Sequence, residues 1–289
     1  MGVKVRICFS LPSIPSRKGR GCVFDFDAKA IISIVIELYL NSYMLLFKKG
    51  VYQMDEYIRA AQKQILKVFA IYSRSFALAG GTALELYYLH HSYSKDLGFF
   101  SARYDVKEIE DLVLEFGRSI ESRTTLENEF TMPNHARVRF YTVPVKGAGY
   151  PLKINFVEDV LIDDPKIVKI EGTPVYDVEH SYSQKIFAIT GTHLGSTSTG
   201  GQSITGRRAM RDIVDMYFLS NQIRPLHQFL RGLSPDQKRG MVLWYRSYPR
   251  MELRLGLSDL DLYGATLDGS KVISYLDHEI KLFMKEELL

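Results

Sequence analysis

Cysteine is nearly absent. The 289 residues contain two, Cys8 and Cys22, both close to the N-terminus. That excludes a disulfide scaffold and a cysteine-built zinc site for the body of the chain, and a reducing compartment fits best. Tryptophan occurs once, but 18 Tyr and 16 Phe remain to anchor a large core. No GK[ST] closes a glycine-rich loop, so a Walker-type phosphate site is excluded. The Gly-rich signatures of protein kinases and GHMP kinases are missing as well. There is no internal repeat. With 46% hydrophobic and 24% charged residues, the composition excludes a collagen-like, low-complexity or wholly disordered chain. The length fits one large domain or two small ones, at roughly 150 residues each.

Charge of one sign is scarce too. A net +4 and a pI near 8.8 would not repel a nucleic acid or a nucleoside triphosphate, and do not demonstrate one. The excess is local: Lys4, Arg6, Arg17, Lys18 and Arg20 are joined by no acid in the first twenty positions. Residues 1–27 show no helical or strand period. Two apolar runs follow, Ala30–Leu40 and Tyr43–Phe47, interrupted by Glu37, Asn41 and Ser42. Three readings stand: a surface helix or irregular appendage, an upstream extension with the start at Met44 or Met54, or a membrane anchor. A glutamate in mid-segment is costly in lipid, so no stable membrane association is expected.

The pattern sharpens from Asp55, which is placed to cap a helix to about Ala70. Ser75–Ala79 reads as a short buried strand. Gly80-Gly81 breaks it, and Thr82 is expected to cap a helix through about His91. Asp96–Phe100 is a second short strand. Asp105 opens a helix to about Ile120 with Ile109, Leu112, Val113 and Phe116 inward. Strands follow near Arg123–Glu127, Ala136–Val143 and Leu152–Val157. Asp177 caps a helix to about Ile189, and residues 191–206 form a Gly/Ser/Thr loop. Helices are expected over Arg207–Ser220 and near Leu226–Leu233, Pro235–Ser247 and Ser270–Leu288. This is an α+β order, a small mixed sheet flanked by helices and then a helical C-terminal part. It divides into an extension over residues 1–52, a core over 53–190 and a helical region over 191–289.

The chemistry concentrates in Leu78–Phe100, LAGGTALELYYLHHSYSKDLGFF. A strand, a double-glycine turn, a helix and an acid-bearing strand follow one another. Glycines let a backbone approach an anion closely, and a helix start offers free N–H groups. An ordinary tight turn reads the same way from glycines alone. Gly80-Gly81-Thr82 followed by Ser94-x-Asp96-x-Gly98-Phe99-Phe100 resembles the AbiEii/AbiGii toxin family of nucleotidyltransferase-like proteins. The resemblance covers roughly Asp55 to Leu219. It implies a nucleotidyltransferase fold and the toxin half of a bacterial toxin–antitoxin pair, with the antitoxin encoded separately. It implies transfer of a nucleotidyl group from an NTP to an RNA acceptor such as a tRNA 3′ end, in the cytoplasm. Gly80, Gly81, Thr82 and Ser94 would surround the triphosphate, and Asp96 would bind Mg²⁺.

A second matching region is Tyr182–Leu219. Lys185, in Gln184-Lys185-Ile186, and Asp212, in Arg211-Asp212-Ile213-Val214-Asp215, match a helical lysine and an R-D-x-x-D helix. The resemblance implies that Lys185 touches phosphates and that Asp212 assists, either holding that lysine or acting as a base. The alternative is a salt-bridge net of solvated helix residues. Arg207, Arg208 and Arg211 are expected to cluster on one helical side, facing RNA phosphates or paired with Asp212 and Asp215. His90 and His91 are poor joint ligands, since adjacent helical positions diverge by about 100°. One is expected at a corner or a phosphate, the other in solvent. Glu85 is expected at the surface or behind the site.

The sequence departs from the family pattern where metal would bind. Gly98 stands where the family has a second Asp, and Asn155 stands where a third acid is expected. Glu158 and Asp159 remain as substitutes. Otherwise metal arrives only with the nucleotide, or the chain is a catalytically impaired nucleotide- or RNA-binding protein.

Overall fold

The structure, a computed structural model, describes residues 56–131, 136–162, 164–191, 194–196, 202–207, 209–248, 250–251, 256–257, 260, 262–263 and 267–287. The N-terminal extension, Asp55 and Arg208 lie outside the described residues.

Aromatic residues at alternate strand positions build the first core. Helix α1 (56–72) leads into strand β1 (Ala77–Ala79). A four-residue α-helical turn, α2 (Gly80–Ala83), runs on as a π-helical segment (Leu84–Leu89). Strand β2 (Asp96–Ser101) and helix α3 (Val106–Ser119) follow. Asp105 caps α3 as expected, accepting from the Lys107 and Glu108 N–H groups at 2.9 and 3.3 Å. Strands β3 (Thr125–Phe130), β4 (Val138–Val143), β5 (Leu152–Glu158), β6 (Ile167–Ile170) and β7 (Thr173–Tyr176) complete a seven-stranded mixed sheet. Its order is β3-β4-β5-β2-β1-β7-β6. β2 is central, antiparallel to β1 and parallel to β5.

One sheet face is closed. Leu97 and Phe99 of β2 and Ile154 and Phe156 of β5 pack with Ile58, Ile65 and Phe69 of α1 and Ile109, Leu112 and Phe116 of α3. Phe99 stacks on Phe69 with ring centroids 4.1 Å apart and meets Phe156 at 5.3 Å. This packing sets the register, because a one-residue slip would turn these aromatics to the other face. It therefore also fixes what the opposite face carries: Asp96, Gly98 and Phe100 from β2, Lys153, Asn155 and Val157 from β5.

The sequence-based reading has no strand over β6 or β7. Their hairpin turns at Glu171 and Gly172, both with positive φ (51° and 82°), as a two-residue type I′ connection demands. β7 pairs in parallel with β1 and so extends the sheet beyond the Gly-Gly turn.

A second core is helical. It joins α4 (Val178–Thr190), α5 (Met210–Gln222), α6 (Leu226–Arg231), α7 (Pro235–Ser247) and α8 (Gly269–Glu287). Its centre includes Tyr182, Ile186, Ile213, Met216, Trp244, Leu276 and Ile280. The expected 191–206 loop contains a small hairpin, β8 (Leu194–Ser196) and β9 (Gln202–Ile204). The segment after the glycines bridges the two cores: Ala83 belongs to the first, Leu84 and Leu89 to the second.

Candidate active site

The Gly-Gly turn and Asp96 lie side by side because β1 and β2 are antiparallel. Ala79 pairs with Gly98, so the chain leaves β1 at Gly80 while β2 begins two residues back, at Asp96. Gly80 has φ +71°, and among the described residues no more distant part of the chain comes within 4 Å of where its Cβ would stand. Glycine is needed there for conformation alone. At Gly81 an added Cβ would lie at ordinary contact distance from Ser94 Oγ (3.4 Å) and Arg211 Nε (3.7 Å), so a methyl group would fit there and occupy the space between them. The missing side chain leaves a notch walled by a hydroxyl and a guanidinium.

Thr82 does not cap the helix, which starts at Gly80. Its buried hydroxyl is hydrogen-bonded to Ser94 Oγ (2.8 Å) and to the main-chain carbonyl of Asp96, which locks the helical turn to the start of β2. Ser94 is held from both sides. Glu85 Oε2 accepts from its N–H at 2.7 Å, and Gln62 Nε2 donates to its carbonyl at 2.9 Å. Glu85 is 1% exposed, not at the surface. Arg59 and Tyr263 both donate to its Oε1. A buried carboxylate persists when paired and hydrogen-bonded in this way.

Lys185, Asp212 and Asp215 form a buried charge network rather than a solvated salt-bridge net. Lys185 Nζ is 2.8 Å from Asp212 Oδ1 and 2.6 Å from Asp215 Oδ2. Asp212 also takes Arg207, at 2.5 and 2.9 Å, and Asp215 takes His91 Nε2 at 2.6 Å. Burial alone would lower the Lys185 pKa, but the two aspartates outweigh it and hold it above the ordinary lysine value. Burial would raise the Asp215 carboxyl; Lys185 and then His91 reverse this and hold it down at about 2. Lys185 thus donates to Asp212 and is ion-paired with Asp215, and Asp212 and Lys185 hold each other in place.

The cation at the glycine turn is Arg211. It bonds the Tyr93 carbonyl, while its buried Nε has no hydrogen-bond partner among the described residues. An unpartnered buried donor costs about 1–3 kcal/mol, which a phosphate oxygen in the Gly81 notch would relieve. Arg207 and Arg211 do not share one helical side, although Arg207 makes the expected pair with Asp212. α5 begins at Met210, so Arg207 precedes it, and Arg207 is committed to Asp212. His90 holds the left-handed corner (φ 48°) after the π-helical segment and is exposed. His91 is buried on Asp215 rather than at a phosphate or in solvent.

The donor set does not fit a two-acid magnesium grip. Asp96 is exposed on the open face, but its neighbours there are Gly98, Lys153 and Asn155. Glu158 pairs with Ser101 at the far end of β2, about 17 Å along the strand from Asp96 at 3.3 Å per residue. Glu158 is tied to Arg137 at 2.7 and 2.9 Å. Asp159 caps the next turn through the Leu161 and Ile162 N–H groups. Neither can substitute. Among the described residues no group of three His, Cys, Asp or Glu could hold a metal ion.

A helix-flanked mixed sheet with a diglycine turn leaving β1 and an acid opening β2 defines a nucleotidyltransferase-like fold. The chain belongs to the family described as nucleotidyl transferase AbiEii toxin, type IV TA system, which it matches over residues 64–247. It is similar in structure to an H. pylori protein provisionally described as a nucleotidyltransferase (TM-score 0.51, 17% identity, 80% of this chain and 96% of that one). JHP933 from Helicobacter pylori aligns at TM-score 0.49 and 17% identity, over 82% and 93% of the two chains. No curated protein matches the sequence significantly.

Proposed function

We propose that this chain binds a nucleoside triphosphate at the Gly80–Gly81 turn and transfers its nucleotidyl group to a hydroxyl of an RNA acceptor, such as a tRNA 3′ end, the acceptor oxygen bonding to the α-phosphorus as pyrophosphate leaves. The observation that carries this reading is the notch at Gly81, with Ser94 Oγ and the unpartnered Arg211 Nε on its walls and Asp96 beside it. Arg211 and the turn hold phosphate oxygens. Thr82, Ser94 and Glu85 keep the turn and the start of β2 in fixed relation. The exposed Asp96 carboxylate accepts a hydrogen bond from the attacking hydroxyl and orients it. Lys185 and Asp212 position α5 and hence Arg211. Family membership supports a cytoplasmic toxin restrained by a separately encoded antitoxin. Among the described residues no helix is long and apolar enough to cross a membrane. Relatives of this kind use Mg²⁺, but the residues around Asp96 do not supply its second carboxylate, and no step here is routed through the ion.

Gly98 and Asn155 favour a second reading, a nucleotide- or RNA-binding protein of the same fold that does not catalyse transfer. Incorporation of labelled NTPs into total tRNA, with Mg²⁺ present, separates the two. Incorporation by the native chain that Asp96→Ala abolishes supports the enzyme. Incorporation by Gly98→Asp alone supports the binding protein.

A further inference from the structure

We propose that the chain takes up a nucleoside triphosphate without a divalent ion, the Lys153 ammonium standing beside Asp96 to supply the charge that a metal would bring. This rests on the nucleotide-site reading above and concerns the same pocket.

The register carries the inference. β2 and β5 run parallel, with Asp96 opposite Lys153 and Gly98 opposite Asn155. Partners in adjacent strands lie about 4.8 Å apart and face the same way. Burial agrees: Asp96 and Lys153 are exposed, while Leu97, Phe99, Ile154 and Phe156 are buried on the other side. The four positions around the pocket floor are therefore one carboxylate, one ammonium, a glycine and a neutral carboxamide. Their formal charge is zero. Arg211 at the Gly81 notch adds a positive charge, so the pocket attracts a polyanion as it stands.

An acid pair behaves in the opposite way. Two or three carboxylates facing a triphosphate repel it until a cation neutralises them, which makes metal obligatory for binding. The carboxylates near this pocket are already committed: Glu85 to Arg59, Tyr263 and Ser94, Asp212 to Lys185 and Arg207, Asp215 to Lys185 and His91. Turning any of them toward a metal would break at least one of these ion pairs. Lys153 is exposed and among the described residues takes part in no such ion pair, and a lysine suits a triphosphate as a mobile point charge.

The test is calorimetric titration of the full chain with each of the four ribonucleoside triphosphates, in EDTA and then in excess Mg²⁺. The native chain is expected to bind its preferred nucleotide with Kd values within about threefold in the two conditions. Lys153→Ala should weaken binding in EDTA by about tenfold or more, and Lys153→Arg should restore most of it. Gly98→Asp should make binding metal-dependent, with Kd in EDTA at least about tenfold above that in Mg²⁺. Native binding that EDTA abolishes overturns the inference and leaves the nucleotide site standing. Native-like binding by Lys153→Ala in EDTA also overturns it. Failure of all four nucleotides in both conditions removes the nucleotide-site reading itself.

Discussion

Replacing Lys185 with Met tests the buried network directly. The substitution keeps an unbranched side chain one atom shorter and removes its charge. Lys185 is 5% exposed, with one aspartate oxygen at 2.8 Å and another at 2.6 Å. Asp212 would keep Arg207 and Asp215 would keep His91, but both would lose the cation between them. Breaking a buried ion pair by deleting one partner costs about 3–5 kcal/mol. At about 2–4 °C per kcal/mol for a domain of this size, the melting temperature should fall by about 6–20 °C. The pH dependence should also change sign. In the native chain the folded Asp215 pKa is about 2, below its ordinary 3.8. Its stabilisation, on the order of 2 kcal/mol, is fully present above pH 3.8 and lost as pH falls through about 2. In Lys185→Met, burial would act on Asp215 with only His91 opposing it, and its pKa should rise above the ordinary value. That variant should gain stability as pH is lowered from 7 toward 5. Thermal unfolding followed by circular dichroism between pH 3 and pH 8 measures both effects. A loss below about 1 kcal/mol, the range of a solvated surface pair, with unchanged pH dependence would refute the reasoning.

The two glycines should behave differently. Gly80→Ala should cost about 1–2 kcal/mol of stability, because its φ of +71° strains any L side chain. Gly81→Ala should unfold within about 1 kcal/mol of native yet weaken nucleotide binding about tenfold by filling the notch; denaturant titration and calorimetry read the two outcomes. Glu85→Gln removes the charge facing Arg59 and should destabilise by about 3–5 kcal/mol, measured by urea unfolding. Asp105→Ala should cost about 1 kcal/mol by removing the α3 cap and leave nucleotide affinity unchanged.

Local signals in the sequence were good guides to local structure. Asp105 and Asp177 cap their helices as expected, and Ile109, Leu112, Val113 and Phe116 form the buried stripe of α3. The caps act within a few residues, and the stripe follows from helical period, so both are written in a short window. The register that sets Asn155 opposite Gly98 is a property of the folded sheet, where Phe99 and Phe156 share the closed face; the sequence pointed to Asn155 only through the family resemblance. The β6–β7 hairpin escaped because its strands have four residues each, contain Pro174, and turn on Glu-Gly rather than the stronger Asn-Gly or Asp-Gly signal. Thr82 resembled a cap because a Thr before an apolar run usually is one. Here the glycines themselves start the helix, and the hydroxyl is drawn to Ser94 and Asp96 instead. The partners of Glu85, His91 and Arg211 were illegible for another reason. Asp215 is 124 residues from His91, and only the packing of α5 against the π-helical segment that follows the glycines brings Arg211 to Gly81.

The central claim is that the diglycine turn, Ser94, Asp96 and Arg211 form one pocket for a nucleotide's phosphates. A crystal structure of the chain with a non-hydrolysable NTP tests it most directly. The account predicts phosphate oxygens within hydrogen-bonding distance of the Gly81 N–H and of Arg211 Nε, with Lys185 still bridging Asp212 and Asp215. Phosphates bound on another surface, with Arg211 Nε left without a partner, would contradict it.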